Sequence, residues 1–249
     1  MSKLYIDEAL RIAAGEVGYC EKATNAELDS QTANAGNGNW TKYARDLWAA
    51  NPHFYQGPKN GYDWCAVFVD WCIFMACGED AVKAQNAMCY TGPYGAGCPS
   101  SVMYYREAGR FKGRAYADPK PGDQIFFGTS DNIRHTGIVE KVANGKVTTI
   151  EGNSSNKVRR KTYDLTDSSI YGYGFPRYDG ETAPKEPEND VPFVDVPEGK
   201  YYTEAVRWCW ENGITAGTDA THFSPKAPVK RCDLCVMLKK LFDLIEGNN

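Results

Sequence analysis

The chain has no basic surplus, no long apolar run and few histidines, and each shortage removes a class of function. Its 28 Lys and Arg are outnumbered by 32 Asp and Glu, so it lacks the basic footprint of a nucleic-acid binder. No apolar run reaches about 18 residues, so no membrane span is expected. The N-terminus carries no apolar signal-peptide core; instead Leu4, Ile6, Ala9, Leu10, Ala13 and Val17 are spaced along one face of an amphipathic helix. The expectation is synthesis in the cytoplasm without an export signal. Histidine occurs only at His53, His135 and His222, so the search for a general base is short. Cysteine, by contrast, is plentiful: nine residues that a reducing compartment would keep as thiols.

One of these thiols stands apart. Cys65 lies in Gly61-Tyr-Asp-Trp-Cys-Ala-Val-Phe-Val-Asp-Trp71, where an apolar helical stretch begins after a polar loop. A helix N-terminus carries partial positive charge and unpaired N–H groups. These stabilise a thiolate and can hold the oxyanion formed when it attacks a carbonyl. Among the three histidines His135 has the best setting. The run Ile133 to Val142 alternates apolar and polar residues like a strand with one buried face. Asn144-Gly145 follows, and Lys146 to Asn153 resumes the pattern, which reads as a hairpin. His135 then sits near the start of one strand, with Glu151 and Asn153 near the end of its neighbour, at one edge of a sheet. A cysteine, a histidine and an orienting acid or amide make up the kit for acyl transfer through a thioester. Cys65 would be the nucleophile, His135 the base, Glu151 the group fixing the ring tautomer, and Asn153 a second orienting amide.

Other segments read as scaffold. Trp40, Tyr43, Ala44, Leu47 and Trp48 recur at helical spacing as a core stripe, and Cys65 to Cys77 is a buried helix stopped by Gly78, with Cys72 and Cys77 as packing residues. Ser100 to Gly109 reads as a short helix with a serine cap. Cys89 and Cys98 flank a glycine-rich loop and are expected to approach each other as thiols.

Four motifs in order, Trp64-Cys-Ala-x-Phe-Val-x-Trp71, Pro121-Gly-Asp-Gln-Ile-Phe-Phe127, His135-Thr-Gly-Ile-Val139 and Ile150-Glu-Gly-Asn153, resemble the CHAP domain, the cysteine- and histidine-dependent amidohydrolase/peptidase module of the papain-like and NlpC/P60-like superfamily. The resemblance reaches back to Gly36-Asn-Gly-Asn-Trp-Thr-Lys-Tyr43 and covers residues 1–180. It implies an α+β fold with N-terminal helices packed on an antiparallel sheet. It also implies cleavage of amide bonds in bacterial peptidoglycan, by an N-acetylmuramoyl-L-alanine amidase or a peptide endopeptidase of the phage endolysin type. Carried over, Cys65, His135, Glu151 and Asn153 match the family's catalytic positions. Some members hold calcium before the cysteine; residues 51–60 contain no carboxylate to build such a loop, and no cofactor is expected.

Residues 181–191 are proline-rich and acidic and read as a linker. In residues 192–249, Thr203 to Asn212 and Lys230 to Ile245 read as two helices, the second with Cys235, Leu238, Leu241, Phe242 and Ile245 along one face. Phe193-Val-Asp195, Asn212-Gly-Ile-Thr-Ala-Gly217, Phe223-Ser-Pro225 and Val229-Lys-Arg-Cys-Asp233 resemble one S-layer homology repeat, a helical module that binds secondary polymers of Gram-positive walls. The resemblance marks Asp195 and Arg231 as polymer contacts, with Trp208 or Trp210 stacking on a sugar. Because such repeats work in threes and this chain has one, self-association as a trimer through residues 192–245 is expected. Cys232-Asp-Leu-Cys235 with Cys209 and His222 would offer four zinc ligands, but a single CxxC lacks the second pair that makes the spacing specific, and no metal is expected.

The expected protein is therefore a wall hydrolase with a targeting tail, released from its cell with a holin if it is a phage product. Its expected partners are peptidoglycan and a wall polymer, and neither nucleic acid nor membrane. The alternatives are a cysteine peptidase or transferase acting on another substrate, and a wall-binding protein with a silent catalytic domain. Which amide is cut depends on loop shapes that residue types do not report.

Overall fold

Helices α1 (Ile6–Gly15), α2 (Lys42–Ala50), α3 (Cys65–Ala76), α4 (Ala81–Ala87) and α5 (Cys98–Glu107) precede strands β1 (Phe111–Gly113), β2 (Gln124–Thr129), β3 (Asn132–Ala143), β4 (Lys146–Glu151), β5 (Arg159–Asp164) and β6 (Ile170–Gly174). Helices α6 (Thr203–Glu211) and α7 (Arg231–Glu246) follow. The computed structural model describes residues 4–90, 95–179, 192–197 and 202–246, and the chain divides into two units, Met1–Ala183 and Pro184–Asn249. The linker expected over 181–191 lies outside the described residues.

The first unit is α+β. Its six strands form one antiparallel sheet in the order β1-β6-β2-β3-β4-β5, and α1, α2, α4 and α5 gather around α3, which lies against β3. All of α3 except Met75 is buried. That suits a helix apolar on every face. Phe68, Phe74 and Trp71 meet Tyr43, Leu47 and Phe54 in one core, where Tyr43 packs against Trp64, Phe68 and Trp71 with ring centroids 4.8 to 5.6 Å apart. Side chains of this size each contribute about 2 to 3 kcal/mol on burial. Cys77 caps α3 and Gly78, at φ +70°, turns the chain away.

Side-chain caps mark the starts of α2 and α4. The Thr41 hydroxyl accepts from Ala44 N–H at the head of α2, and the Asp80 carboxylate accepts from Lys83 N–H at the head of α4. Helix α5 departs from expectation. It begins at Cys98 rather than Ser100, with Gly97 as N-cap and no serine cap, because Pro99 in the first turn already sets a helical φ at a position that needs no N–H. Trp48, read as core, is 38% exposed, whereas Tyr43, Ala44 and Leu47 are buried.

In the second unit Phe193, Val196 and Val206 form a small core, with Tyr202, Trp210 and Phe223 packed on it. The Asp195 carboxylate accepts from the backbone N–H groups of Phe223 and Ser224, each at 2.8 Å. This aspartate, read as a polymer contact, is thus engaged in holding a loop. Of the two tryptophans, Trp210 joins the core and Trp208 is exposed; Arg231, at the head of α7, is exposed. Of the apolar face expected along α7, Cys235, Leu238, Phe242 and Ile245 are exposed and Leu241 is half-buried, and Leu234 and Val236 beside it are exposed too.

Candidate active site

Cys65 is the first residue of α3. The preceding Trp64 offers no side-chain cap, so the N–H groups of the first turn keep their partial positive charge for an anion at the sulfur. Trp64 is itself fixed, its indole N–H donating to Glu21 Oε2 at 2.7 Å, with Glu21 buried. The β4 end presses on the same place. A Cβ on Gly152 would come within 2.4 Å of the Phe68 Cβ and 2.9 Å of the Trp64 ring, so glycine is required for this turn to reach the helix.

The hairpin expected around Asn144-Gly145 is present, with Ile138 opposite Ile150. It brings His135 Nε2 to 2.9 Å from Glu151 Oε2. Glycine matters here too: a Cβ at Gly137 would lie 2.6 Å from Glu151 Cγ, in the space the glutamate side chain fills. The remaining ring nitrogen is Nδ1, and Cys65 and His135 act on each other's ionisation. The Phe127 ring lies 5.9 Å from the imidazole, centroid to centroid, and limits its rotation.

The electrostatics favour an ion pair. A hydrogen bond from Cys98 draws the Cys65 thiol well below its ordinary range, against burial, with His135 and the Ala66 N–H helping. Burial depresses His135, but the Cys65 thiolate and then Glu151 outweigh it and raise the imidazole. Glu151 is fully buried. Burial pushes its carboxyl up, yet hydrogen bonds from His135, Thr149 and Tyr163 hold it low. Thr149 and Tyr163 both donate to Oε1, at 2.6 and 2.8 Å, leaving Oε2 for the histidine. A buried carboxylate stays ionised only when satisfied in this way.

Cys65, His135 and Glu151 therefore converge. Asn153 sits at the same edge, but its amide donates to Asp63 at 3.0 Å, tying the end of β4 to the loop that leads into α3. Cys98 is also elsewhere than expected. Its sulfur lies 3.5 Å from that of Cys65, while the Cys89 thiol points to the Ala87 carbonyl. Cys98, Glu21, Tyr163 and Thr149 were not singled out from the sequence. Thr149, two residues before Glu151 on one strand, shares its face and was the one readable from spacing. Among the described residues no group of three or more His, Cys, Asp or Glu side chains is placed to hold a metal ion, and His222 bonds to Asp219 and Thr221.

Residues 57–153 match the CHAP domain and residues 192–234 match the S-layer homology domain. Among solved structures, Ly7917 aligns at 17% identity and a TM-score of 0.40, over 69% of this chain and 62% of its own. An N-acetylmuramoyl-L-alanine amidase from Bacteroides uniformis aligns at 11% identity and a TM-score of 0.38, over 70% of this chain and 98% of its own. The chain thus spans less than two thirds of Ly7917. No curated protein matches it.

Proposed function

We propose, starting from a CHAP domain followed by an S-layer homology domain, that this protein hydrolyses amide bonds of bacterial peptidoglycan through the Cys65 thiolate. The observation that carries the reading is the hydrogen-bonded chain from Tyr163 and Thr149 through Glu151 to His135, with the imidazole and the Cys65 thiol acting on each other's ionisation.

The chemistry follows from the geometry. The thiolate adds to the amide carbonyl, and the N–H groups at the start of α3 stabilise the oxyanion. His135, held protonated by Glu151, gives its proton to the leaving amine, which departs and leaves a thioester on Cys65. The neutral imidazole then removes a proton from water, whose oxygen attacks the thioester. The acid product leaves, and the thiolate and imidazolium are restored. Glu151 does not exchange a proton; it fixes the ring and stabilises its cationic form.

The second unit supplies targeting in this reading, with Trp208 and Arg231 offered to a secondary polymer of a Gram-positive wall. Self-association as a trimer through this unit would multiply weak contacts. The protein acts on the wall after release from the cytoplasm, as an endolysin does. Clearing of Gram-positive wall suspensions tests the proposal: Cys65→Ala is expected to lower the rate at least about a thousandfold, and clearing by that variant at the wild-type rate would end it. Mass spectrometry of the digest then separates the two bond classes. A free L-alanine amino terminus marks an amidase, and a terminus within the stem or bridge marks an endopeptidase.

A further inference from the structure

Two helices, not one, begin at this site, and each begins with a cysteine. Cys65 is the first residue of α3 and Cys98 the first of α5; their sulfurs are 3.5 Å apart and both side chains are almost fully buried. Among the free thiols, Cys72 and Cys77 are also buried, but neither lies beside Cys65 in this way. In the steps above Cys98 only supports the Cys65 thiolate by its hydrogen bond; acyl transfer with one nucleophile makes no use of the Cys98 sulfur itself.

We propose that Cys98 is a resolving cysteine: when a hydroperoxide oxidises Cys65, Cys98 closes a reversible Cys65–Cys98 disulfide that switches the enzyme off and shields the nucleophile from further oxidation. The proposal rests on Cys65 being the reactive thiolate of the function above. In the first step the Cys65 sulfur attacks one peroxide oxygen, the O–O bond breaks, and the departing hydroxide or alkoxide takes a proton, leaving Cys65 as a sulfenic acid. In the second step the Cys98 sulfur attacks the Cys65 sulfur, the S–O bond breaks, and the departing hydroxide takes the thiol proton as water. The two thiols lose two electrons between them and the peroxide gains them.

Two features of the site favour this course. A disulfide needs sulfurs at about 2.0 Å, and these already lie 3.5 Å apart. The Cys65 thiolate is the first influence holding the proton on Cys98, with burial second; that negative charge is lost once Cys65 is a sulfenic acid, while the start of α5 favours a thiolate at Cys98.

The test uses the full chain treated with about five equivalents of hydrogen peroxide, enough to carry an unprotected thiol past the sulfenic acid, followed by alkylation, peptide mapping and a clearing assay before and after dithiothreitol. The wild type is expected to lose two hydrogens in mass, to yield a joined Cys65–Cys98 peptide, and to regain its activity on reduction. In Cys98→Ser and Cys98→Ala, Cys65 is expected to gain two or three oxygens, with recovery at least about tenfold lower than wild type. Wild-type Cys65 carrying two oxygens beside a free Cys98 thiol would overturn the proposal, as would its joining to any other cysteine. The peptide map is read whether or not the protein clears walls. Absence of clearing by untreated wild type therefore counts against the proposed function alone.

Discussion

Helices α3 and α7 are both rich in apolar side chains and both carry pairs of cysteines, yet they live in opposite surroundings. Over 12 residues α3 buries everything but Met75, while α7, with 16 residues, leaves Leu234, Val236, Leu238, Phe242 and Ile245 exposed. Cys72 and Cys77 are sealed in a core; Cys232 and Cys235 face outward. The difference lies in what each unit has to pack. Four other helices and a six-stranded sheet surround α3, whereas the second unit's core holds only Phe193, Val196 and Val206 with three flanking rings. A unit that small hides little of its chain's surface. The lesson is that an apolar helix becomes rigid enough to aim a nucleophile only where the rest of its unit closes over it.

The sharpest way to break this contrast is to remove one ring from each helix. Phe68→Ala in α3 is expected to cost about 3 to 5 kcal/mol of stability, and Phe242→Ala in α7 less than about 0.5 kcal/mol, both read by denaturant unfolding. A large, concentration-dependent cost at Phe242 would mean that a second copy covers α7, and would support the trimer.

The same two units offer a pair of carboxylates to compare. Glu151 and Asp195 are each held by two or more hydrogen bonds, but only Glu151 is hydrogen-bonded to a histidine. Glu151→Gln is expected to lower kcat about 10- to 100-fold, while Asp195→Asn leaves kcat on soluble peptide fragments unchanged and lowers the melting temperature of the second unit. Steady-state kinetics and thermal melting of the two variants decide this.

A subtler effect is the pH profile. Cys65 ionises at about 5, drawn down first by Cys98 and then by His135, and His135 holds its proton to about 9, where the thiolate and Glu151 overcome its burial. Activity is therefore expected to rise with pH through about 5, as the thiolate forms, and to fall through about 9, as the imidazolium is lost. Glu151→Gln should move the upper limb to lower pH, because one of the charges that retain the proton is gone. An upper limb that stays in place would remove Glu151 from its assigned role. The smallest effect is expected at Trp208→Ala: retention on walls weakened about two- to tenfold, with hydrolysis of soluble fragments unaltered.

Much of this was readable along the chain. The start of α3 at Cys65, the Asn144-Gly145 hairpin and the meeting of His135 with Glu151 follow from short-range regularities: a period of two in strands, 3.6 in helices, and a turn that permits one register; the α+β class came with the family resemblance. Where short-range signals competed, reading was less sure. Ser100 was a fair cap, but Gly97-Cys98-Pro99 won because proline fits the first turn. Asn153 was near enough to His135 in sequence to be given its orientation, but at φ +52° the backbone turns and the amide meets Asp63.

What the sequence by itself determined is the candidate set: a cysteine at a helix start and a histidine and a glutamate across one hairpin, since each is marked by its neighbours within a dozen residues. What only the tertiary structure decided is the company they keep. Glu21 reaches Trp64 across 43 positions and Cys98 reaches Cys65 across 33; Tyr163 completes Glu151 from the next strand. Such pairs carry no periodic signal, because they are chosen by how helices and strands close over one core rather than by the order of residues along any one of them.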